Sequence, residues 1–250
     1  MPRKALPVRC HVLKEDHAKT IEDFLVKELP ECYTSRMLLK IGAERTGKNP
    51  AELLANKLPD RGSVMSGEFG EVLTLFFLCG ECAEGTWPVR KWRYKQDRRK
   101  PAPYSDVIIL YRKSKRDPSE EDFVLCAEAK QKATSSEFCP ISQAVEGFIK
   151  DRTGRLARTL VWLREKAIDR EHRNTIKFLE RFTHDLSVEF AKYFKAVAVI
   201  DRSLLDEEIT RDLELPEQDG SFEVLVLGIS DLKRLYETVF ERAVEEVTVE

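Results

Sequence analysis

The sequence predicts an α/β fold with a mixed central sheet flanked by helices. Three observations predict it. Short apolar runs rich in Val, Ile and Leu recur as "YSDVIILYR", "DFVLCAEAK", "KAVAVID" and "FEVLVLGI", each of strand length and bounded by polar or turn-forming residues. Between them lie longer stretches whose apolar residues return at helical intervals. Two of the strands are separated only by the polar "KSKRDPSEED", so they pair as an antiparallel hairpin, with a helix predicted to follow.

The elements follow in order. "CHVLKED" reads as a strand, and "DHAKTIEDFLVKEL" as a helix with Ile21, Phe24, Leu25 and Leu29 on one face. "NPAELLANKL" is a short helix capped by Asn49, with Pro50 at its first position. "IGAERTGKNP" holds a Gly-Lys pair without phosphate-loop spacing. Residues 62–81 form a largely buried helix through Val64, Met65, Phe69, Val72, Leu73, Phe76 and Phe77. "TWPVRKWRYKQ" has strand character. After the hairpin, "PISQAVEGFIKDRTGRLARTLVWL" reads as a helix, and "REHRNTIKFLERFTHDLSVEFAKYF" as one or two more. A closing helix starts at "SDLKRLYETVFERAVEE", capped by Ser230.

Composition excludes several classes. The 250 residues are 42% hydrophobic and 34% charged, with a net charge of −2. Overall charge therefore implies no polyanionic partner, and any nucleic-acid surface must come from local segregation of charge. No apolar run is expected to span a bilayer, and the N-terminus has no signal-like hydrophobic region, so a cytoplasmic location without membrane contact is expected. The six cysteines are scattered, as in a reducing compartment. Cys79 and Cys82 have metal-ligand spacing, but a structural zinc site needs a second pair, and the four histidines do not cluster. His184 beside Asp185 sits in a polar stretch and reads as surface.

The chemistry concentrates where strands end in charge. Asp106 opens one hairpin strand; Glu128 and Lys130 close the other, on one face because side chains alternate with period two. The start of one antiparallel strand lies beside the end of its partner, so these three side chains converge. Glu68 or Glu71 on the preceding helix can join them. Carboxylates crowded at one point repel, so a positive charge is expected among them. Oxygen ligands without imidazole or thiolate suit Mg²⁺ or Mn²⁺. A hard cation beside a lysine is the equipment of phosphodiester hydrolysis. An ion-paired strand edge accounts for any one of these residues taken alone; the ordered set is more specific.

That order, a helix acid, then "YSDVIIL" with Asp106, then "LCAEAK" with Glu128 and Lys130, resembles the PD-(D/E)xK nuclease superfamily. The resemblance implies a restriction-endonuclease-like core over 61–250, with residues 1–60 as an extension packed on it. It implies that Asp106, Glu128 and the Ala129 carbonyl ligate metal, that Glu71 assists with Glu68 as the competing choice, and that Lys130 orients or activates water. Gln143, early in the following helix, matches a position where some relatives carry an organising glutamine. Ser105 departs from the superfamily's frequent proline. More narrowly, "SGEFGEVLTLFFL", "E-A-K" and "FKAVAVIDRSLL" are similar to the HamA C-terminal domain family of Hachiman antiphage defence. This implies a DNA-cutting subunit with a helicase partner.

Charge segregation supports a DNA surface. Arg93, Lys95, Arg98, Arg99 and Lys100 lie in a basic stretch interleaved with Trp92 and Tyr94, and Lys132 adds a basic side chain beyond the site. Lys150, Arg152, Arg155 and Arg158 follow the motif, whereas acids gather toward the C-terminus. A mixed solvated surface explains most such runs. The other function to weigh is a non-catalytic subunit that binds DNA or a helicase through the same face.

Overall fold

The computed structural model of the protein describes residues 8–184, 187–211, 213–216 and 220–247. The first seven residues, Asp185 and parts of the acidic C-terminal stretches thus lie outside the description. The apolar runs form one six-stranded sheet from β1 (Val8–Val12), β2 (Trp87–Pro88), β3 (Val107–Tyr111), β4 (Phe123–Lys132), β5 (Ala191–Asp201) and β6 (Phe222–Ile229), in the order β1-β6-β5-β4-β3-β2. β1, β6, β5 and β4 run parallel, while β3 pairs antiparallel with both β4 and β2. The mixed sheet is as predicted. Its central strands are buried on both faces, as near-continuous Val, Ile and Leu runs require.

Helices cover each face. α1 (Glu15–Tyr33), α4 (Ser63–Glu81) and α9 (Leu232–Glu245) pack on one side, joined by α2 (Arg36–Thr46) and α3 (Pro50–Ala55). Here Leu29, Phe69, Val72, Leu75 and Val239 meet Leu125 and Ala127. α5 (Pro140–Lys150), α6 (Leu156–Asp169), α7 (Arg173–Thr183) and α8 (Arg202–Thr210) cover the other side, where Ile141, Ala144, Phe148 and Leu160 meet Val124 and Cys126. The alternation along β4 thus sorts its side chains between two cores. Each fully buried Leu, Ile or Phe contributes on the order of 1.5–3 kcal/mol. β1 pairs with β6, and α1 packs near α9, so residues 8–60 build into the same sheet and core.

Local signals act as predicted at α3, where the Asn49 side chain accepts the Ala51 N–H and Pro50 opens the helix. The hairpin is closed by buried Asp122, which accepts the backbone N–H groups of Lys113 and Ser119 and pairs with Arg181 at 2.6 Å. Burial works against its charge, but Arg181 and those N–H groups hold the carboxyl below its usual range.

Several expectations are corrected. "TWPVRKWRYKQ" is not a strand: only Trp87–Pro88 pairs, and Lys91–Tyr94 form a 3-10 turn that buries Lys91 and Trp92. The long helix after the hairpin breaks at Gly154, whose φ of 129° lies outside helical geometry, dividing α5 from α6. "FAKYF" is strand over its last residues, because β5 begins at Ala191. α2 forms where no helix is predicted, capped by Ser35, whose hydroxyl accepts the Leu38 N–H. The cap of α9 is Asp231 in the left-handed region, not Ser230. α4 is long and apolar enough to cross a bilayer, contrary to expectation, yet more than half of it is buried against the fold. His184 is exposed, as expected.

Candidate active site

The register of the hairpin sets the site. Val107 stands opposite Ala127, so one step outward Asp106 stands opposite Glu128. Directly opposed side chains share a face, and Lys130 joins them two residues on. The Asp106 carboxylate accepts the Ala129 backbone N–H at 3.1 Å and the Lys130 ammonium at 3.3 Å. The same ammonium pairs with Glu128 and donates to the Ala129 carbonyl at 3.3 Å. One positive charge is therefore ringed by two carboxylates and a carbonyl. Burial lowers the affinity of Lys130 for its proton, but Asp106 and Glu128 outweigh it and raise its pKa.

Glu128 is gripped from the helical side. Arg155 pairs with it, and also reaches Asp151 at 2.7 Å and the Gly147 carbonyl at 2.8 Å. Asp151 in turn accepts the Ser105 hydroxyl at 2.6 Å, and Thr159 on α6 meets the same hydroxyl at 2.8 Å. The break at Gly154 lets Arg155 face back to the strand end. Gly147 is required by proximity: a Cβ there would lie 2.2 Å from the Glu128 carboxyl carbon. Across the sheet, a Cβ on Gly70 of α4 would meet Gln131 at 3.0 Å. Two glycines thus let helices close on both faces of the end of β4. Burial and neighbouring Asp106 push Glu128 up to about 7, against the pull of Lys130 and Arg155.

The two candidate helix acids take different partners. Glu71 accepts the Trp92 indole N–H at 3.0 Å and pairs with buried Lys91 at 3.2 Å. Lys91 also lies 3.9 Å from Asp106 and donates to the Ser105 carbonyl at 2.8 Å. Glu71 is therefore linked to the strand acids through one ammonium. Burial pushes its carboxyl up to about 8, with Asp106 and Glu68 adding to the rise and Lys91 opposing it. Glu68 turns away to Tyr33, whose hydroxyl donates at 2.8 Å, and to Lys95. Of the two, Glu71 faces the cluster.

The basic stretch is more internal than predicted. Arg93 pairs with Glu31 at 2.7 Å, Lys95 is buried against Glu68, and Arg98 pairs with Asp60. These residues tie α1, α3 and α4 together, so they are ion-paired anchors rather than free cations. Arg99 and Lys100 are exposed, Arg99 beside Asp97. Lys132 is also corrected: it is 4% exposed, pairs with buried Glu208 at 2.6 Å and donates to the carbonyls of Ser136 and Phe138. Gln143 is exposed on α5, one turn before Gly147. Lys150, Arg152 and Arg158 are exposed near the break in the helix.

Among the described residues, no three acidic, histidine or cysteine side chains form a metal cluster. The oxygen set that suits a hard cation is two carboxylates and one carbonyl, Asp106, Glu128 and Ala129, and the Lys130 ammonium already sits among all three. Cys79 and Cys82 stay apart from it at the end of α4, and burial pushes the Cys79 thiol up to about 12.

The HamA family model matches residues 3–243, nearly the whole chain. The chain belongs to the HamA family. The HamA match starts well before residue 60, where the sequence resemblance begins, and takes in β1 and α1–α3 as well as the strand acids. No curated protein matches this HamA chain.

Three partners in the site carry no sequence signal as site residues. Lys91 is hidden in a basic run, Arg155 in a polar helix, and Ser105 is noticed only as a departure. The mid-helix glycine in "DRTGR" is the one signal that points to a break before Arg155.

Proposed function

We propose that the chain is a metal-dependent nuclease of PD-(D/E)xK type that hydrolyses DNA phosphodiester bonds, acting in Hachiman defence with a helicase subunit. The single observation that carries this reading is the Lys130 ammonium held among Asp106, Glu128 and the Ala129 carbonyl. A point that attracts one cation so strongly suits another. Asp106, Glu128 and Ala129 are the residues that would hold Mg²⁺ or Mn²⁺, with Glu71 behind them. Such an ion supplies charge for the phosphate oxygens and a lowered pKa for a bound water.

The chain's own residues do the rest. The Ala129 N–H fixes Asp106, and Arg155 with Gly147 fixes Glu128, so little reorientation is needed when substrate arrives. Lys130 is the most exposed of the cluster, at 27% of its side chain, and can position the attacking water or offset charge growing on the phosphate. Lys91 is too buried to reach substrate, so it positions Glu71 and Asp106. HamA membership supports the defence role, and the helicase partner is proposed with it.

One observation favours a second reading, a non-catalytic subunit that binds DNA or a helicase. Lys91, Lys130 and Arg155 already balance the acids without any metal, as a structural ion-pair cluster would. Incubating plasmid and linear DNA with Mg²⁺, Mn²⁺ or EDTA separates the two. The nuclease reading expects metal-dependent cutting that disappears in a Glu128→Ala, Lys130→Ala double variant. If both proteins leave DNA intact, with and without the helicase, the binding reading stands instead.

A further inference from the structure

Three aromatic rings lie beside the proposed site with no role in it. Tyr104 is two residues before Asp106 and adopts φ 67°, the left-handed region that tyrosine rarely enters. The residue is 41% exposed and its ring meets Trp162 edge-on, at 5.9 Å between centroids. Trp162 meets Tyr94 at 5.8 Å, and the Arg170 guanidinium covers the Tyr94 ring at 4.5 Å.

α6 ties this cluster to the site. Arg155, which precedes it, grips Glu128; Thr159 holds the Ser105 N–H at 3.3 Å and its hydroxyl at 2.8 Å; Trp162 meets Tyr104. Those positions recur at helical spacing, so one stripe runs from the acids to the rings. Arg158, exposed one turn before Trp162, adds positive charge along it. Tyr104 and Asp106 are two residues apart, so their α-carbons are at most about 7 Å apart. That is a reach suited to a nucleotide next to the phosphate under attack.

We infer that Tyr104 and Trp162 form a stacking platform for an unpaired nucleobase, so that the strand cut at this site enters single-stranded or frayed. This deepens the proposed nuclease function and rests on it. Tyr104 combines this rare backbone conformation with an exposed side chain that a base can cover, and strain held at such a place points to function. Stacking tolerates any base, because each has a π-face, while exposed arginine follows the phosphates. A base locked inside a duplex cannot reach the ring.

The test is a fluorescence titration in EDTA, so that cutting plays no part. Trp162 is the reporter; Trp92 is buried and half-buried Trp87 packs edge-on against Phe178, so both form the background, and a Trp162→Phe variant keeps a stacking face while removing the change that binding causes. A single-stranded oligonucleotide is expected to quench the emission and to bind more tightly than a blunt duplex of the same sequence. Tyr104→Phe is expected to bind as the wild type does. Tyr104→Ala is expected to weaken single-strand binding by about ten-fold, the loss of one stacked base. Tyr104→Gly, which adopts φ 67° without strain, is expected to do the same, so misfolding cannot produce the result. Equal binding by the Tyr104→Gly variant, equal affinity for duplex, or no binding at all overturns the inference. The cleavage assay with the double variant is independent of it, so either idea can fail while the other stands.

Discussion

Glu71 shows what the site asks of single residues. It is buried beside Lys91 and Trp92, and burial raises its pKa to about 8. The folded state therefore holds that proton more tightly than the unfolded chain does. The stability it contributes is complete below the ordinary carboxylate value of about 4.3 and is lost as pH rises through the folded value. Glu128, raised to about 7, acts in the same direction. In EDTA, the melting temperature is predicted to fall between about pH 4.5 and about pH 8, and Glu71→Gln to flatten part of that fall. An unchanged slope in the variant would contradict this account of Glu71. The acids were legible in the sequence because each interrupts an apolar pattern. Their cations were not: Lys91 and Arg155 sit among other basic residues, and only tertiary packing separates a buried partner from a solvated neighbour.

At the scale of elements, the β3–β4 hairpin was legible because strand ends, turn residues and charges agreed, and its register then placed Asp106 opposite Glu128. The 3-10 turn at Lys91–Tyr94 was not legible, because alternating aromatic and basic residues imitate a strand while what decides the conformation is burial against Glu71 and Ser105. The α5–α6 break is local, at Gly154, but its purpose is visible only when Arg155 reaches Glu128. The approach of α5 to β4 makes a prediction of its own. Gly147→Ala places a methyl group 2.2 Å from the Glu128 carboxyl carbon, so either the helix or the acid must shift. The expected cost is about 1–3 kcal/mol in denaturant unfolding, with cleavage reduced on the order of 10²-fold because the acid is displaced. Wild-type cleavage by this variant would mean that the position of Glu128 does not matter.

Across the whole molecule, one sheet joins the first strand to the last, and two helical layers close on the end of β4 from opposite faces. The sequence carried the α/β class and the place of the acids. It did not carry the fate of the basic stretch, most of which binds α1, α3 and α4 together and leaves fewer cations for DNA than a count suggests. The central claim is that Asp106, Glu128 and the Ala129 carbonyl make a centre for a hard cation where Lys130 now sits. The measurement that tests it most directly is Mn²⁺ binding, followed by the electron paramagnetic resonance signal of free Mn²⁺. The wild type is predicted to bind at a saturable site, weakened by more than about ten-fold in Asp106→Asn and in Glu128→Gln, both folded. No binding by the wild type, or equal binding by the variants, would contradict the account.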